Sequence, residues 1–267
     1  MRHDPTAARI AYARDGVVLL PGALGAEALA QARDAYEWSL ANPGPGATRF
    51  AQATAATFYN DLYNPKCLEG YRAMLEASPL PDLIAELWGA PQVWFMYEQV
   101  FLKGGGEARR TPWHQDSSYL AIAGEHLAVA WISFDPVARE DCLEFVRGSH
   151  RGALHNGSRF ELGDDTAPIN PSSSLPRLPD IEADRAAFDI VSFAVRPGDV
   201  VIFHPAMLHG GAATHGGTRR RTLSLRFFGE DAVYDRREGH AGPRIAGFHE
   251  RMTPGDPFRD PSFLKLR

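Results

Sequence analysis

This chain is expected to fold as a mainly β protein with flanking α-helices, its strands closed into a double-stranded β-helix, or jelly-roll, core. Short runs rich in Val, Ile and Phe, separated by Gly and Pro, crowd the sequence after residue 90, whereas helical spacing of apolar residues is confined to two segments before it. His114 and Asp116 in TPWHQDSSYL add a third sign. Strand side chains alternate faces, so residues i and i+2 point the same way, while a helix would bring paired ligands together at i and i+4.

Taken in order, DGVVLLPGAL (15–24) reads as a strand running into a turn, and GAEALAQARDAYEWSLAN (25–42) as a helix that gives way at Asn42-Pro43-Gly44. A second helix is expected in PDLIAELWGA (81–90), with Gly89 near its end. Then come the strand PQVWFMYEQVFLK (91–103), the strand carrying His114, and short strands at 129–134, 143–146, 190–195, 200–203 and 222–228. Two stretches show no period: 44–64, and 152–189 with its GDDTAPINPSSSLPRLP. Loops of this length serve as lids or as plain surface insertions.

With 267 residues and 44% hydrophobic content, the chain can build one large β domain. It is read as a single domain over 1–267, with N-terminal helical support to about residue 90 and a metal-binding β core over about 91–231. Net charge is −5, and basic residues are scattered apart from Arg219, Arg220 and Arg221, which argues against nucleic acid as a partner. Cys67 and Cys142 alone make no disulfide framework, so a reducing, cytoplasmic setting is expected. No stretch approaches the roughly 18 apolar residues of a membrane span, and the charged N-terminus lacks the apolar run of a leader.

A lone His-x-Asp needs a third ligand. His209 in RPGDVVIFHPAMLHGG supplies one, 93 residues beyond Asp116, after a hydrophobic run bounded by Pro197-Gly198 and Gly210-Gly211. Two neutral imidazoles and a carboxylate occupy one face of an octahedral ion and leave three positions open, as in non-haem Fe(II) oxygenases. Zinc hydrolases can use similar ligands. Arg220, eleven residues after His209 and opening RRTLSLRFFG, separates the two: a guanidinium grips a carboxylate through two parallel hydrogen bonds, which zinc hydrolysis does not require.

His-x-Asp, a distal His and an Arg eleven residues on, joined by AWISFDPVAREDCLEFVRGSHRG (130–152), PGDVVIFHPAMLHGG (197–211) and RRRTLSLRFFGED (219–231), resemble the phytanoyl-CoA dioxygenase family of Fe(II)/2-oxoglutarate oxygenases over about 91–231. The resemblance implies a cupin-like jelly-roll in which His114, Asp116 and His209 hold Fe(II), Arg220 meets the C5 carboxylate of 2-oxoglutarate, and O2 is the oxidant. Arg221 is the alternative to Arg220, because a one-residue slip turns a strand side chain to the other face. Trp131 matches an aromatic that family members place near the co-substrate; the competing reading is simple core. The resemblance further implies hydroxylation of an unactivated C–H bond of a small or medium metabolite, with release of succinate and CO2. Asp116 favours hydroxylation over halogenation, since related halogenases carry a small residue there.

Arg226 stands six residues after Arg220 and so shares its strand face, where an anionic substrate group or an internal carboxylate could partner it. His150 and His204 are read as bracing turns and strands, and His3, His126, His155, His215, His240 and His249 as surface or turn residues without a role. Two competing readings stay open: a Zn-dependent jelly-roll protein, and a non-catalytic binding protein that has kept the fold.

Overall fold

The computed structural model describes residues 4–51, 57–104, 110–161, 163–213, 219–237 and 242–267. Helices α1 (Pro5–Asp15), α2 (Ala26–Ala41), α3 (Cys67–Ala77) and α4 (Leu80–Trp88) occupy the first third of the chain, interleaved with strands β1 (Val17–Leu20), β2 (Thr48–Ala51) and β3 (Thr57–Leu62). There follow β4 (Trp94–Gly104), β5 (Thr111–His114), β6 (Ile122–Ala123), β7 (Leu127–Ser133), β8 (Leu143–Val146), β9 (Ile190–Ser192) and β10 (Val200–Phe203). Strands β11 (His209–Gly211), β12 (Arg220–Phe228), β13 (Val233–Tyr234) and β14 (Leu264–Lys265) complete the set.

The large sheet runs β1-β10-β7-β12-β4-β3-β2, with β14 also on β4, and the smaller one runs β5-β11-β8-β9, their strand pairs antiparallel. Alternation along β7 shows how the layers form. Ala128, Ala130 and Ile132 turn outward to join Tyr36, Leu75 and Ile84 of the helices, while Val129 and Trp131 turn inward to meet Phe145 and Phe203. On β12, Leu223, Leu225 and Phe227 pack outward with the helical layer. That leaves Arg220, Thr222, Ser224 and Arg226 buried on the inner face. A row of buried polar side chains demands partners, and in a small barrel it marks a ligand chamber.

The expected strands and both expected helices are present, and Gly89 closes α4 in the left-handed conformation at φ 68°. Two further helices appear in the first third of the chain, and a single turn, Phe248–Arg251, near its end. The buried face of α1 consists of Ala8, Tyr12 and Asp15, too little for a periodic signal; Asp4 caps it by accepting from the Thr6 amide at 3.0 Å. Helix α3 contains Gly70, a poor helix former, but a Cβ there would stand 2.3 Å from the Trp38 ring, so glycine allows α3 to lie against α2.

The stretch 44–64, expected to be irregular, holds β2 and β3, which extend the large sheet beyond β4. Its alternation is hidden because buried Asp61, which accepts from the Gly44 amide at 2.8 Å, is polar. Residues 52–56 lie outside the described residues. Over 152–189 the described residues form turns, isolated bridges and one 3-10 helix (Arg185–Ala187) without a named strand. This segment is anchored nonetheless: Leu178 and Ile181 pack with Trp113 and Leu208, and the Trp113 indole donates to Glu182 at 2.6 Å.

Candidate metal centre

Strand β5 delivers His114 and ends there, because Asp116 opens a one-turn 3-10 helix (Asp116–Tyr119). The expectation that both ligands sit on one uninterrupted strand is therefore corrected. Ser118 donates its amide to the Gln115 carbonyl at 3.1 Å and Ser117 to that of Pro205 at 3.0 Å, a turn suited to a Ser-rich segment whose side chains compete for backbone. The intended divergence survives the turn. Gln115 points away from both ligands, donating to the carbonyls of Ala206 at 2.8 Å and Ala153 at 3.1 Å and accepting from the His155 amide at 2.8 Å.

Strand β11 sets His209 opposite His114. The strands approach closely enough that a Cβ on Gly210 would lie 2.9 Å from the Thr111 carbonyl oxygen. Ligand atoms of His114, Asp116 and His209 fall within 4.8 Å of one another. Nδ1 of His114 lies 2.8 Å from the Pro112 carbonyl, and Nδ1 of His209 lies 3.0 Å from that of Met207. A carbonyl only accepts, so each Nδ1 carries the proton and each Nε2 keeps its lone pair. These Nε2 atoms stand 3.4 and 3.8 Å from Asp116 Oδ1. Asp116 Oδ2 is already engaged by Arg226 Nη2 at 2.9 Å, which also donates to Gln99 Oε1 at 2.6 Å.

Burial raises the cost of charging Asp116, but the Arg226 cation and the two histidines outweigh it and hold its carboxyl well below the usual range. Burial, reinforced by His114, pushes His209 down to about 4. The cluster thus offers the Asp116 carboxylate and the His209 lone pair at neutral pH, with Nε2 of His114 beside them. This donor set suits Fe(II) and related divalent ions.

The neighbouring arginines separate by strand alternation. Arg221 faces outward and pairs with Asp135 through Nη2 at 2.7 Å and Nε at 3.1 Å. Arg220 turns inward, where its guanidinium meets the backbone carbonyls of Asp141 and, at 3.5 Å, Ala212. Trp131 shares that inner face, opposite Ser224, and packs in the layer holding Phe145 and Phe203.

Several residues of the chamber escaped the sequence reading. Tyr97, Gln99, Phe101 and Lys103 stand opposite Arg226, Ser224, Thr222 and Arg220 across the β4–β12 ladder. Their spacing of two along one strand was the available signal. Tyr119 and Phe160 are stacked at 6.2 Å, and the Phe160 ring lies 5.5 Å from His114. Phe160 sits in an aperiodic segment, where no pattern could place it. Among the other histidines, His204 accepts from the Ala206 amide at 3.1 Å, His126 pairs with Asp231 at 3.0 Å, and His249 contacts the Pro243 carbonyl at 3.0 Å. The His150 ring lies 5.6 Å from that of His204, tilted by 43°. His3, His215 and His240 lie outside the described residues.

A cupin-like jelly-roll here brings a two-histidine, one-carboxylate cluster that could hold a metal ion together with an inward arginine. The chain belongs to the phytanoyl-CoA dioxygenase family: the family model described as Phytanoyl-CoA dioxygenase (PhyH) matches residues 12–222. Peroxisomal phytanoyl-CoA dioxygenase of Homo sapiens is 27% identical over 164 residues, 58% of this chain and 46% of its own. That of Rattus norvegicus is 26% identical over 176 residues, 62% and 49% of the two chains. The chain thus spans about half the length of the curated relatives it matches.

Among solved structures, the epimerase SnoN in complex with Fe3+, alpha ketoglutarate and nogalamycin RO superposes with a TM-score of 0.72 at 20% identity, covering 99% of this chain and 100% of that one. The carbocyclase SnoK from nogalamycin biosynthesis gives 0.71 at 21%, covering 98% and 96%. EctD from S. alaskensis, with 2-oxoglutarate and 5-hydroxyectoine, gives 0.63 at 18%, covering 96% and 87%. These likenesses establish the fold. Among the described residues, no helix is long and apolar enough to cross a membrane.

Proposed function

We propose that this protein is a non-haem Fe(II)- and 2-oxoglutarate-dependent dioxygenase that hydroxylates an unactivated C–H bond of a small or medium metabolite, releasing succinate and CO2. One observation carries the reading: three convergent ligand atoms stand on the inner side of the same barrel as a buried arginine that forms no ion pair among the described residues. His114 and His209 offer Nε2 to the iron, and Asp116 offers Oδ1. Iron held there supplies the oxygen activation that no side chain can provide. Arg220 binds the distal carboxylate of 2-oxoglutarate, and Trp131 flanks the co-substrate.

Arg226 fixes Asp116 by holding Oδ2, which keeps Oδ1 turned toward the histidines. Its Nε and Nη1 are buried without hydrogen-bond partners and are left to meet an anionic group of the substrate. Tyr119 and the partly exposed Phe160 flank His114 on one side of the site. Family membership and relatives described with Fe3+ and 2-oxoglutarate support the assignment. The experiment is release of labelled CO2 from carboxyl-labelled 2-oxoglutarate in air. It should require added Fe(II) and disappear in Asp116→Ala and His209→Ala; release that survives both substitutions would contradict the assignment.

A further inference from the structure

Lys103 stands directly opposite Arg220 across an antiparallel ladder, so both side chains enter the chamber on one face. Lys103 is 5% exposed; its Nζ lies 3.4 Å from Thr111 Oγ1 and 5.0 Å from the centre of the Phe58 ring. Neither cation forms an ion pair among the described residues: Arg220 hydrogen-bonds backbone carbonyls, and the Asp141 carboxylate acts on it only from beyond ion-pair distance. Two adjacent buried cations without a directly paired anion among the described residues are costly, because each loses hydration and repels the other. Other arginines of the chamber and its rim avoid that cost: Arg226 has Asp116, Arg221 has Asp135, and Arg110 has Glu144 and Glu182. The exception falls where the proposed co-substrate carries its distal charge.

We propose that Lys103, braced by Thr111, completes with Arg220 the site for the distal carboxylate of the 2-oxo acid, and so makes this protein selective for a dicarboxylic co-substrate. The inference rests on the co-substrate reading above. A carboxylate has about four lone-pair sites, enough to satisfy a guanidinium and an ammonium together. The groups facing Lys103 are Arg220 on β12, Arg110 and Thr111 at β5, and Phe58 on β3. Burial, followed by the charges of Arg220 and Arg110, pushes its ammonium down to about 7, so an arriving anion also draws a proton onto it. A lysine serving only to tie β4 to β5 would show no such linkage to the ligand.

Calorimetric titration of the anaerobic Fe(II) protein tests this with two acids, 2-oxoglutarate and 2-oxopentanoate, the second bearing a methyl group in place of the distal carboxylate. Lys103→Met should weaken 2-oxoglutarate about tenfold to a hundredfold and leave 2-oxopentanoate within about twofold. In buffers of different ionisation enthalpy, the wild type should take up protons on binding 2-oxoglutarate above pH 7, and the variant should not. Lys103→Arg should recover part of the affinity. Ligand-free Lys103→Met should melt no lower than wild type, since it removes a buried unpaired charge.

Unchanged 2-oxoglutarate affinity in Lys103→Met overturns the inference and leaves the co-substrate reading standing. Equal losses for both acids, or a lowered melting temperature, mark a structural lysine and overturn it as well. Wild-type protein that binds neither acid overturns the co-substrate reading itself.

Discussion

The first two residues of β12 carry the same guanidinium and are held in opposite ways. Arg221 is about a fifth exposed and complete: Asp135 accepts from its backbone amide at 2.8 Å, from Nε and from Nη2, and these bonds raise its pKa. Arg220, 7% exposed, bonds two backbone carbonyls and no carboxylate, and burial lowers its pKa against the smaller opposing pull of the Asp141 charge. The difference teaches how to tell a structural arginine from a receptive one. A charged group kept dry without a counter-charge is a binding site whose free energy is realised when the anion arrives.

The widest gap between the two faces should appear in binding. Arg220→Met is expected to weaken 2-oxoglutarate by about 2–5 kcal/mol, while Arg221→Met leaves it within about 0.5 kcal/mol. Denaturant unfolding should show the reverse, with Arg221→Met losing about 1–3 kcal/mol of stability and Arg220→Met losing none. If Arg221→Met carried the binding defect, the roles of the two residues would have to be exchanged.

A second effect, smaller than the first, concerns the inward arginine at the far end of the strand. Arg226 differs from Arg220 in having a directly paired carboxylate, that of the proposed ligand Asp116. Arg226→Met should lower iron affinity about tenfold to a hundredfold in competition with a chelator, because Asp116 loses the contact that orients it. Unaltered iron affinity would mean that the metal alone positions Asp116.

The smallest effect is a dependence of ligand-free stability on pH. Burial places the folded-state pKa of Lys103 at about 7, below its ordinary 10.5. Between those values the unfolded chain binds more protons, so the Lys103 contribution to stability rises with pH and its penalty is present in full below about 7. Glu98 acts in the opposite sense over a lower window. Burial raises it from 4.5 to about 7, the folded chain binds more protons there, and its contribution falls as pH rises across that window. Unfolding curves for Lys103→Met and Glu98→Gln should each lose one of these slopes; slopes unchanged by both substitutions would contradict the burial assigned to these groups.

The clustering of His114, Asp116 and His209 and the inward turn of Arg220 were legible in the sequence: His114 and Asp116 diverge together from Gln115 even though the strand ends at His114, and Arg220 alternates with Arg221. Element type was legible wherever one face is apolar, as in α2, α4, β7 and β10. It failed where chemistry interrupts the pattern. Asp61 obscured β3, Gly70 obscured α3, and the turn of the Asp116–Tyr119 segment could not be seen from a two-residue gap. Lys103 was missed for a different reason. Its meaning lies in standing opposite Arg220, and cross-strand register is a tertiary fact that no single run of residues contains.

The central claim is that His114, Asp116, His209 and Arg220 form one site for iron and a 2-oxo diacid. Anaerobic titration of the Fe(II) protein with 2-oxoglutarate, followed by visible metal-to-ligand charge-transfer absorption, tests it most directly. The band should grow to saturation in wild type and in Arg221→Met, require far more 2-oxoglutarate in Arg220→Met, and be absent in Asp116→Ala. Iron-replete wild type without the band, or a titration that Arg220→Met leaves unmoved, would contradict the claim.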